Sequence, residues 1–122
     1  MHLPDGDVAR DTVPTPVAGL DGRFSATIPE AWQVFYAFGG VTMALAIRTA
    51  EAALGRPELG IVTVQSTFCA AVPCGPVAMA AEVLCSGRKG AQVEVRLWAT
   101  DDPTGTVVPD LVVTVVFGLP DP

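Results

Sequence analysis

The longest run of small and apolar residues in the chain extends from Gly39 to Leu54 and predicts one α-helix. The glycine pair Gly39-Gly40 begins the run, so the first backbone N–H groups of the helix are open to close approach. Gly55 follows the last residue in the position of a C′ glycine, and Pro57 prevents continuation. We therefore expect a single long helix over 39–54.

The few polar positions of this helix divide between two sides. Arg48 and Glu51 share one side, whereas Thr42 and Thr49 lie nearly opposite them at 3.6 residues per turn. A helix this apolar is expected to be covered by protein over most of its circumference. The simplest role for Glu51 is an ion pair with Arg48, either solvated or at an interface.

Segments of alternating or β-branched residues predict five strands, at 23–28, 60–68, 77–85, 91–99 and 111–117. The segment 91–99 alternates most regularly, and the loop 86–90 before it is typical of a hairpin. Four consecutive strands joined largely by tight turns favour an antiparallel sheet. We expect an α+β domain in which a strongly curved antiparallel sheet wraps around one central helix.

The two termini differ in composition from this central part. Residues 1–21 combine prolines and glycines with acidic and small residues, which predicts an extended or loosely packed lead-in. The single domain is expected to span 22–118, with 119–122 as a C-terminal tail. The chain shows no internal repeats.

Composition limits the classes of function. Half of the 122 residues are hydrophobic and 16% are charged, which excludes general disorder and suggests oligomerisation. The net charge of −6 argues against a nucleic-acid surface. No apolar run is long enough to span a membrane, and the first residues do not resemble a signal peptide, so a cytoplasmic location is expected. The three cysteines lack metal-ligand spacing and are expected to be reduced.

Several short motifs, in this order, resemble the hot-dog superfamily, and in particular the acyl-CoA thioesterases related to bacterial thioesterase II. The resemblance covers about 22–118. It rests on Trp32-Gln33-Val34-Phe35 before Gly39-Gly40, Phe68 before Pro73, Gly75-Pro76-Val77, Glu82-Val83-Leu84 with Ser86-Gly87-Arg88, and 92–98.

The resemblance implies a function and an assembly. Members of this family bind an acyl group joined by a thioester to coenzyme A or to an acyl carrier protein, and they normally act as dimers. The thioesterase II type carries two hot-dog units in one chain. This chain has length for one, so the resemblance implies a homodimer or a dimer of dimers. It implies no metal and no cofactor, coenzyme A being part of the substrate.

Thioester hydrolysis needs N–H donors for the developing oxyanion, and the helix start could supply them. The N–H groups of Gly39, Gly40 or Val41 lie at the positive end of the helix dipole, and a side chain at either glycine would crowd the carbonyl. The alternative is that the glycines simply permit a sharp entry from loop to helix. Given the family resemblance, we favour the oxyanion role.

Hydrolysis also needs a group that positions or activates water. Many single-domain relatives have a carboxylate about two turns into the helix, where this chain has Ile47-Arg48. In the thioesterase II type an Asp, a Thr and a Gln of the second domain hold the water, and this chain resembles the first domain. Gln33 and Thr42 are therefore the preferred candidates. Glu30 and Gln65 are alternatives.

The substrate-binding candidates are aromatic and basic. Trp32, Phe35, Tyr36 and Phe68, together with Phe38, could line an acyl tunnel or could pack the core and the dimer interface. Arg88 and Lys89, aided by Arg96, could contact the phosphates of coenzyme A or could form a solubilising hairpin. The sole histidine, His2, excludes dehydratase and Cys–His chemistry. Two functions remain: an acyl thioesterase, or a catalytically silent hot-dog protein that binds an acyl thioester or another apolar ligand, or pairs with an active homologue.

Overall fold

The computed structural model describes residues 6–32, 39–100 and 108–120. In chain order its elements are α1 (Val8–Asp11), β1 (Thr15–Pro16), β2 (Arg23–Ile28), a 3-10 turn (Glu30–Trp32), α2 (Gly39–Leu54), β3 (Gly60–Phe68), β4 (Gly75–Ser86), β5 (Gly90–Trp98) and β6 (Leu111–Gly118). The bounds of α2 are those predicted from the sequence.

The strands form one six-stranded sheet in the order β1-β2-β4-β5-β6-β3, and every neighbouring pair is antiparallel. α2 packs across β4, β5 and β6. β3 pairs with β6 and not with β4, so the connection from β3 to β4 crosses the sheet. One helix against one face of an antiparallel sheet is the predicted α+β, hot-dog arrangement.

The core lies between α2 and the sheet. Alternate residues of β5 and β6 face α2 and are buried, as their period of two predicts: Ala91, Val93, Val95, Leu97, Leu111, Val113, Val115 and Phe117. From α2, Leu45 and Ala46 are fully buried against them. Each large side chain buried in this way contributes about 1.5–3 kcal/mol, so the core fixes α2 relative to the sheet.

The termination of α2 follows the sequence prediction. Gly55 has a φ of +63°, the left-handed conformation that glycine adopts most easily, and its N–H donates to the Glu51 carbonyl at 2.9 Å. Thr42 and Thr49 are fully buried on the sheet side, whereas Glu51 is exposed.

The described part of the N-terminal segment, for which the sequence predicted an extended or loosely packed lead-in, contains a short helix and a two-residue strand. Asp7 caps the short helix α1, and β1 pairs with β2 through Thr15 and Ser25. Arg48 of α2 also donates a hydrogen bond to the Ala9 carbonyl. These contacts join distant parts of the chain, so local composition did not reveal them.

The two edges of the sheet differ. β1 has only two residues, and one of them is Pro16, which has no N–H to donate to another strand. β3 forms the opposite edge over nine residues, none of which is charged. Ile61 and Val62 on β3 are 45% and 62% exposed. The β3 edge therefore lacks the charges and prolines that usually prevent strand addition.

The registers define two ends of the sheet. Phe68, Leu111 and Leu97 are cross-strand neighbours at one end, here called the Phe68 end. Gly60, Gly118 and Gly90 are neighbours at the other, here called the hairpin end because the β4–β5 hairpin turns there. No helix in the described part of the chain combines the length and apolar character needed to cross a bilayer.

Candidate functional site

The start of α2 lies at the Phe68 end of the sheet. Gly39 is half-buried and Gly40 is exposed. The first N–H groups of an α-helix have no partners within the helix and carry partial positive charge, so they can donate to an anionic or polarised oxygen. A 16-residue helix aligns enough peptide dipoles for this effect to be useful.

Phe68 at the end of β3 lies close to this helix start. A β-carbon built on Gly39 would lie 3.6 Å from Phe68 Cζ, an ordinary van der Waals distance. The sequence led us to expect that a side chain on either glycine would crowd the approaching carbonyl, and this stays a prediction. Among the described residues, a methyl group on Gly39 would make only this ordinary contact with Phe68. Phe68 is 48% exposed, so its ring presents apolar surface beside the helix start.

Two side chains of β3 face the core and α2. Val64 packs against the core, and Ser66 Oγ lies 3.6 Å from Met43 Sδ of α2. Phe68 follows on the same side because side chains alternate along a strand. The end of the open edge strand and the start of α2 therefore form one continuous surface.

Thr42, a water-positioning candidate, is fully buried. Its Oγ1 donates to the Gly39 carbonyl at 2.9 Å, within the first turn of α2. The hydroxyl proton of Thr42 is therefore used in a hydrogen bond to the helix backbone. This bond gives Thr42 a structural part in fixing Gly39, and its contact with a water stays a prediction.

The middle of α2 carries no carboxylate. Ile47 and Arg48 occupy it, and Arg48 Nη1 donates to the Ala9 carbonyl at 2.7 Å and to Thr12 Oγ1 at 3.0 Å. The ion pairs between described residues do not include the expected one between Arg48 and Glu51. Arg48 instead binds the N-terminal segment.

Asp11 is a buried acid whose position no sequence pattern predicts. Its side chain is 4% exposed and accepts from Arg10 Nε at 2.7 Å, from the Asp7 N–H at 2.9 Å and from Trp32 Nε1 at 2.9 Å. The Arg10 guanidinium, followed by the Asp7 N–H and the Trp32 indole, holds the pKa of this carboxyl well below its usual range. Asp11 is thus a fixed anion, poorly suited to accept a proton in a reaction.

Trp32, the last residue of the 3-10 turn, is half-buried and is fixed by that bond to Asp11. Of the other candidates, Glu30 and Gln65 are exposed. Gln33, Phe35, Tyr36 and Phe38 lie outside the described residues.

Arg88 and Lys89 are exposed at the hairpin end. Arg56, just beyond α2, holds this hairpin by donating to Ser86 Oγ and to the carbonyls of Gly87 and Arg88. At 1.5 Å per residue the two ends of α2 are about 22 Å apart. Within one copy, the structure therefore does not bring the basic hairpin together with the Gly39-Gly40 pair.

Arg96 is separated from Arg88 and Lys89. It lies on the face of β5 opposite the core, where its Nε is 3.7 Å from Glu94 Oε1. Six residues separate it from Gly90, which corresponds to about 20 Å along a strand. Arg96 is therefore not positioned to assist Arg88 and Lys89 of its own copy.

A cavity of about 370 Å³ lies at the C-terminal end of α2, lined by Glu51, Leu54, Gly55, Arg56, Pro57, Leu59 and Phe117. It belongs to the hairpin end and not to the helix start. The three cysteines are free thiols, and burial raises the pKa of Cys74.

The sequence of this chain matches a known protein family. Residues 28–118 match the model of the acyl-CoA thioesterase N-terminal domain. The chain belongs to this family. The match includes α2, Phe68 and the basic hairpin, and it begins at the last residue of β2. Among proteins with curated functions, none is similar enough to count as a relative.

Solved structures share the fold of this thioesterase-family domain. A candidate thioesterase II from Thermobifida fusca is 21% identical, with a TM-score of 0.80 over 98% of this chain and 42% of its own. A candidate thioesterase from Novosphingobium aromaticivorans is 26% identical, with a TM-score of 0.71 over 89% and 41%. A hot-dog protein of unknown function from Alicyclobacillus acidocaldarius is 21% identical, with a TM-score of 0.73 over 94% and 40%. This chain thus spans well under half the length of these three proteins.

Proposed function

We propose that this protein hydrolyses acyl thioesters carried by coenzyme A or by an acyl carrier protein. The main support is the position of Gly39 and Gly40 at the start of a long helix, beside the exposed ring of Phe68, in a chain of the acyl-CoA thioesterase N-terminal domain family. The N–H donors and the apolar ring suit the two parts of the substrate, a polarised carbonyl and an acyl chain.

In the proposed reaction the thioester carbonyl oxygen accepts hydrogen bonds from N–H groups at the helix start. Water attacks the carbonyl carbon, a carbon–oxygen bond forms, and negative charge on the oxygen is stabilised by those donors. The carbon–sulfur bond then breaks, and the proton lost by the water is taken up by the departing thiolate. Gln33 is the proposed residue that orients the water. No carboxylate is proposed to relay this proton from the water to the thiolate, because the glycine half of α2 carries no acid and Asp11 is a fixed anion.

We further propose that a second copy covers the β3 edge. Nine uncharged edge residues, with Ile61, Val62 and Phe68 exposed, suit addition of another strand. A twofold axis normal to the sheet would pair β3 with β3 of the second copy in antiparallel fashion, which makes the contact self-complementary. Such a homodimer leaves both α2 helices on the same face of a continuous sheet.

This pairing offers a role for the basic hairpin. Antiparallel pairing would set the Phe68 end of one copy beside the hairpin end of the other. Arg88 and Lys89 of the second copy would then lie three strand spacings, about 14 Å, from β3 of the first. We propose that they bind the phosphates of coenzyme A while Gly39 and Gly40 of the first copy bind the thioester. The reaction would take place in the cytoplasm, where the three thiols stay reduced.

A second function is favoured by one observation. The middle of α2 has Ile47 and Arg48, and Arg48 is used to bind the N-terminal segment. A chain without a helix carboxylate could bind acyl thioesters without hydrolysing them, or could complete the site of an active homologue.

One assay separates the two functions. Purified protein is incubated with acyl-CoA substrates of increasing chain length, and released thiol is followed with a thiol reagent. Turnover that depends on chain length supports hydrolysis. Retained binding of the same acyl-CoA compounds without thiol release at any length would leave only the binding function. Acyl carrier protein substrates tested in parallel identify the carrier.

A further inference from the structure

The N-terminal residues 6–12 form a clasp that joins Trp32 to α2. Three of the donors to the Asp11 carboxylate come from within this segment, namely the Asp7 N–H and two guanidinium nitrogens of Arg10. The fourth is Trp32 Nε1, 21 residues away, at 2.9 Å. Because a buried indole N–H needs an acceptor, this bond fixes both the position and the rotation of the Trp32 ring.

Arg48 ties the same segment to α2. Its Nη1 reaches the Ala9 carbonyl at 2.7 Å and Thr12 Oγ1 at 3.0 Å, across 39 and 36 residues of sequence. Thr12 is fully buried, and its own hydroxyl donates to the Val8 carbonyl. The clasp is therefore anchored at one side on the rigid central helix and at the other on Trp32.

Gly6 completes the clasp by supporting the face of the indole. A β-carbon on Gly6 would lie only 2.8 Å from Trp32 Cε2 and 2.9 Å from Cζ2, so any side chain there would displace the ring. The ring is held through its N–H by Asp11 and through its face by the backbone of Gly6. Two independent contacts thus set one aromatic side chain.

We propose that Asp11 is a positioning residue that holds the Trp32 ring in the orientation in which it contacts the acyl substrate. This inference rests on the proposed function, because the family resemblance makes Trp32 a candidate for contact with the acyl group of that substrate. Asp11 acts only through Trp32 and takes no part in proton transfer. Its charge makes the bond to the indole N–H strong, and its other donors keep the carboxylate from rotating away.

The first test observes the contact itself. The chain has two tryptophans, Trp32 and Trp98, so the amide spectrum of isotope-labelled protein contains two indole N–H signals, assigned with Trp32→Phe. In Asp11→Asn we expect the Trp32 signal to shift and its hydrogen exchange to accelerate. Gly6→Ala, which leaves Asp11 unchanged, should also shift the Trp32 signal. Trp98 is the internal control, and Asp21→Asn, an exposed carboxylate in a turn, is the matched control variant.

The second test measures the consequence for the ligand without requiring turnover. The dissociation constant of a non-hydrolysable acyl-CoA thioether is determined for each variant. Asp11→Asn and Gly6→Ala are expected to weaken binding about threefold to tenfold, with coenzyme A alone bound as in the wild type. In an active enzyme the same change should appear in KM, with kcat little affected.

Two results would overturn the proposal. An unchanged Trp32 signal in Asp11→Asn would remove the contact, and a shifted signal with unchanged affinity for the thioether would remove its role in binding. A protein that binds the thioether but releases no thiol contradicts the proposed hydrolysis and leaves this test intact, so the two failures are distinguishable.

Discussion

Phe68 Cζ lies 3.6 Å from the position that a β-carbon would take on Gly39, so the last residue of the open edge strand forms one wall of the helix start. In the proposed reaction, the thioester carbonyl enters the space beside this ring to reach the N–H groups of the first turn. Because Phe68 belongs to the edge where a second strand would add, the proposed site and the proposed interface meet at this residue.

Gly39→Ala should fold normally and lose activity. The added methyl group fits in ordinary contact with Phe68, but it fills the space that the thioester carbonyl is proposed to enter. We expect kcat/KM to fall about tenfold or more, measured as thiol release. The control is Ala52→Ser, an exposed position near the other end of α2, which should keep wild-type activity. Equal activity in both variants would contradict the oxyanion role of Gly39.

Val62→Lys should convert a dimer into monomers. Val62 is 62% exposed on β3, and the twofold symmetry of the proposed contact would bring a lysine from each copy to one interface. The molar mass by light scattering at micromolar concentration checks this result. Leu84→Lys is the control, because Leu84 is 46% exposed on β4, away from the β3 edge. A wild type that is already monomeric would refute the interface.

A mixed dimer tests whether the hairpin acts across the interface. One copy carries Gly39→Trp, which blocks the helix start, and the other carries Arg88→Glu with Lys89→Glu. If the hairpin serves the other copy, one of the two sites in the mixed dimer has both parts intact, and about half of the wild-type activity should return. If it serves its own copy, both sites stay defective. Activity is measured at subsaturating acyl-CoA, where phosphate contacts matter most.

Stability should depend on pH through Asp11. Its pKa is lowered in the folded protein, so below about pH 4 the unfolded chain binds a proton more readily than the folded one. The contribution of Asp11 to the free energy of unfolding is therefore complete above that pH and is lost as the pH falls further. In urea denaturation, the gap between wild type and Asp11→Asn should narrow from pH 6 towards pH 2.5. A constant gap would contradict the bonding seen around this carboxylate.

Arg56→Ala should loosen the β4–β5 hairpin. Arg56 donates to Ser86 Oγ at 3.1 Å and to two hairpin carbonyls, and its side chain is 24% exposed. Loss of these bonds should lower the free energy of unfolding by about 1–2 kcal/mol. Amide exchange should accelerate at 86–90 but not in β2. Unchanged exchange at the hairpin would show that the turn is stable without Arg56.

Local patterns were sufficient to predict α2 and the strands β2 to β6, but not α1 or β1. The run from Gly39 to Leu54 determined α2, because its glycines and its 3.6-residue period are properties of neighbouring residues. The pairing of β3 with β6 could not be predicted from the sequence, since it depends on contacts between residues about 50 positions apart in the chain. Asp11 was missed for the same reason: nothing in its neighbours indicates that an indole 21 residues later will bond to it.

Only part of the candidate site could likewise be predicted from neighbouring residues. The helix start could be found from Gly39 and Gly40, because a glycine pair before an apolar helix is a local signal. The separation of Arg88 and Lys89 from that start, by the length of α2, required the registers of four strands. The three-dimensional arrangement assigns the two groups to opposite ends of one copy.

The unlike edges of the sheet also limit how large an assembly can grow by adding strands. A strand can join at β3, but β1 ends the sheet with two residues and a proline. Once two copies have paired through β3, both outer edges of the joined sheet are β1. Growth then has no further starting point, so this geometry yields a closed pair in place of a fibre.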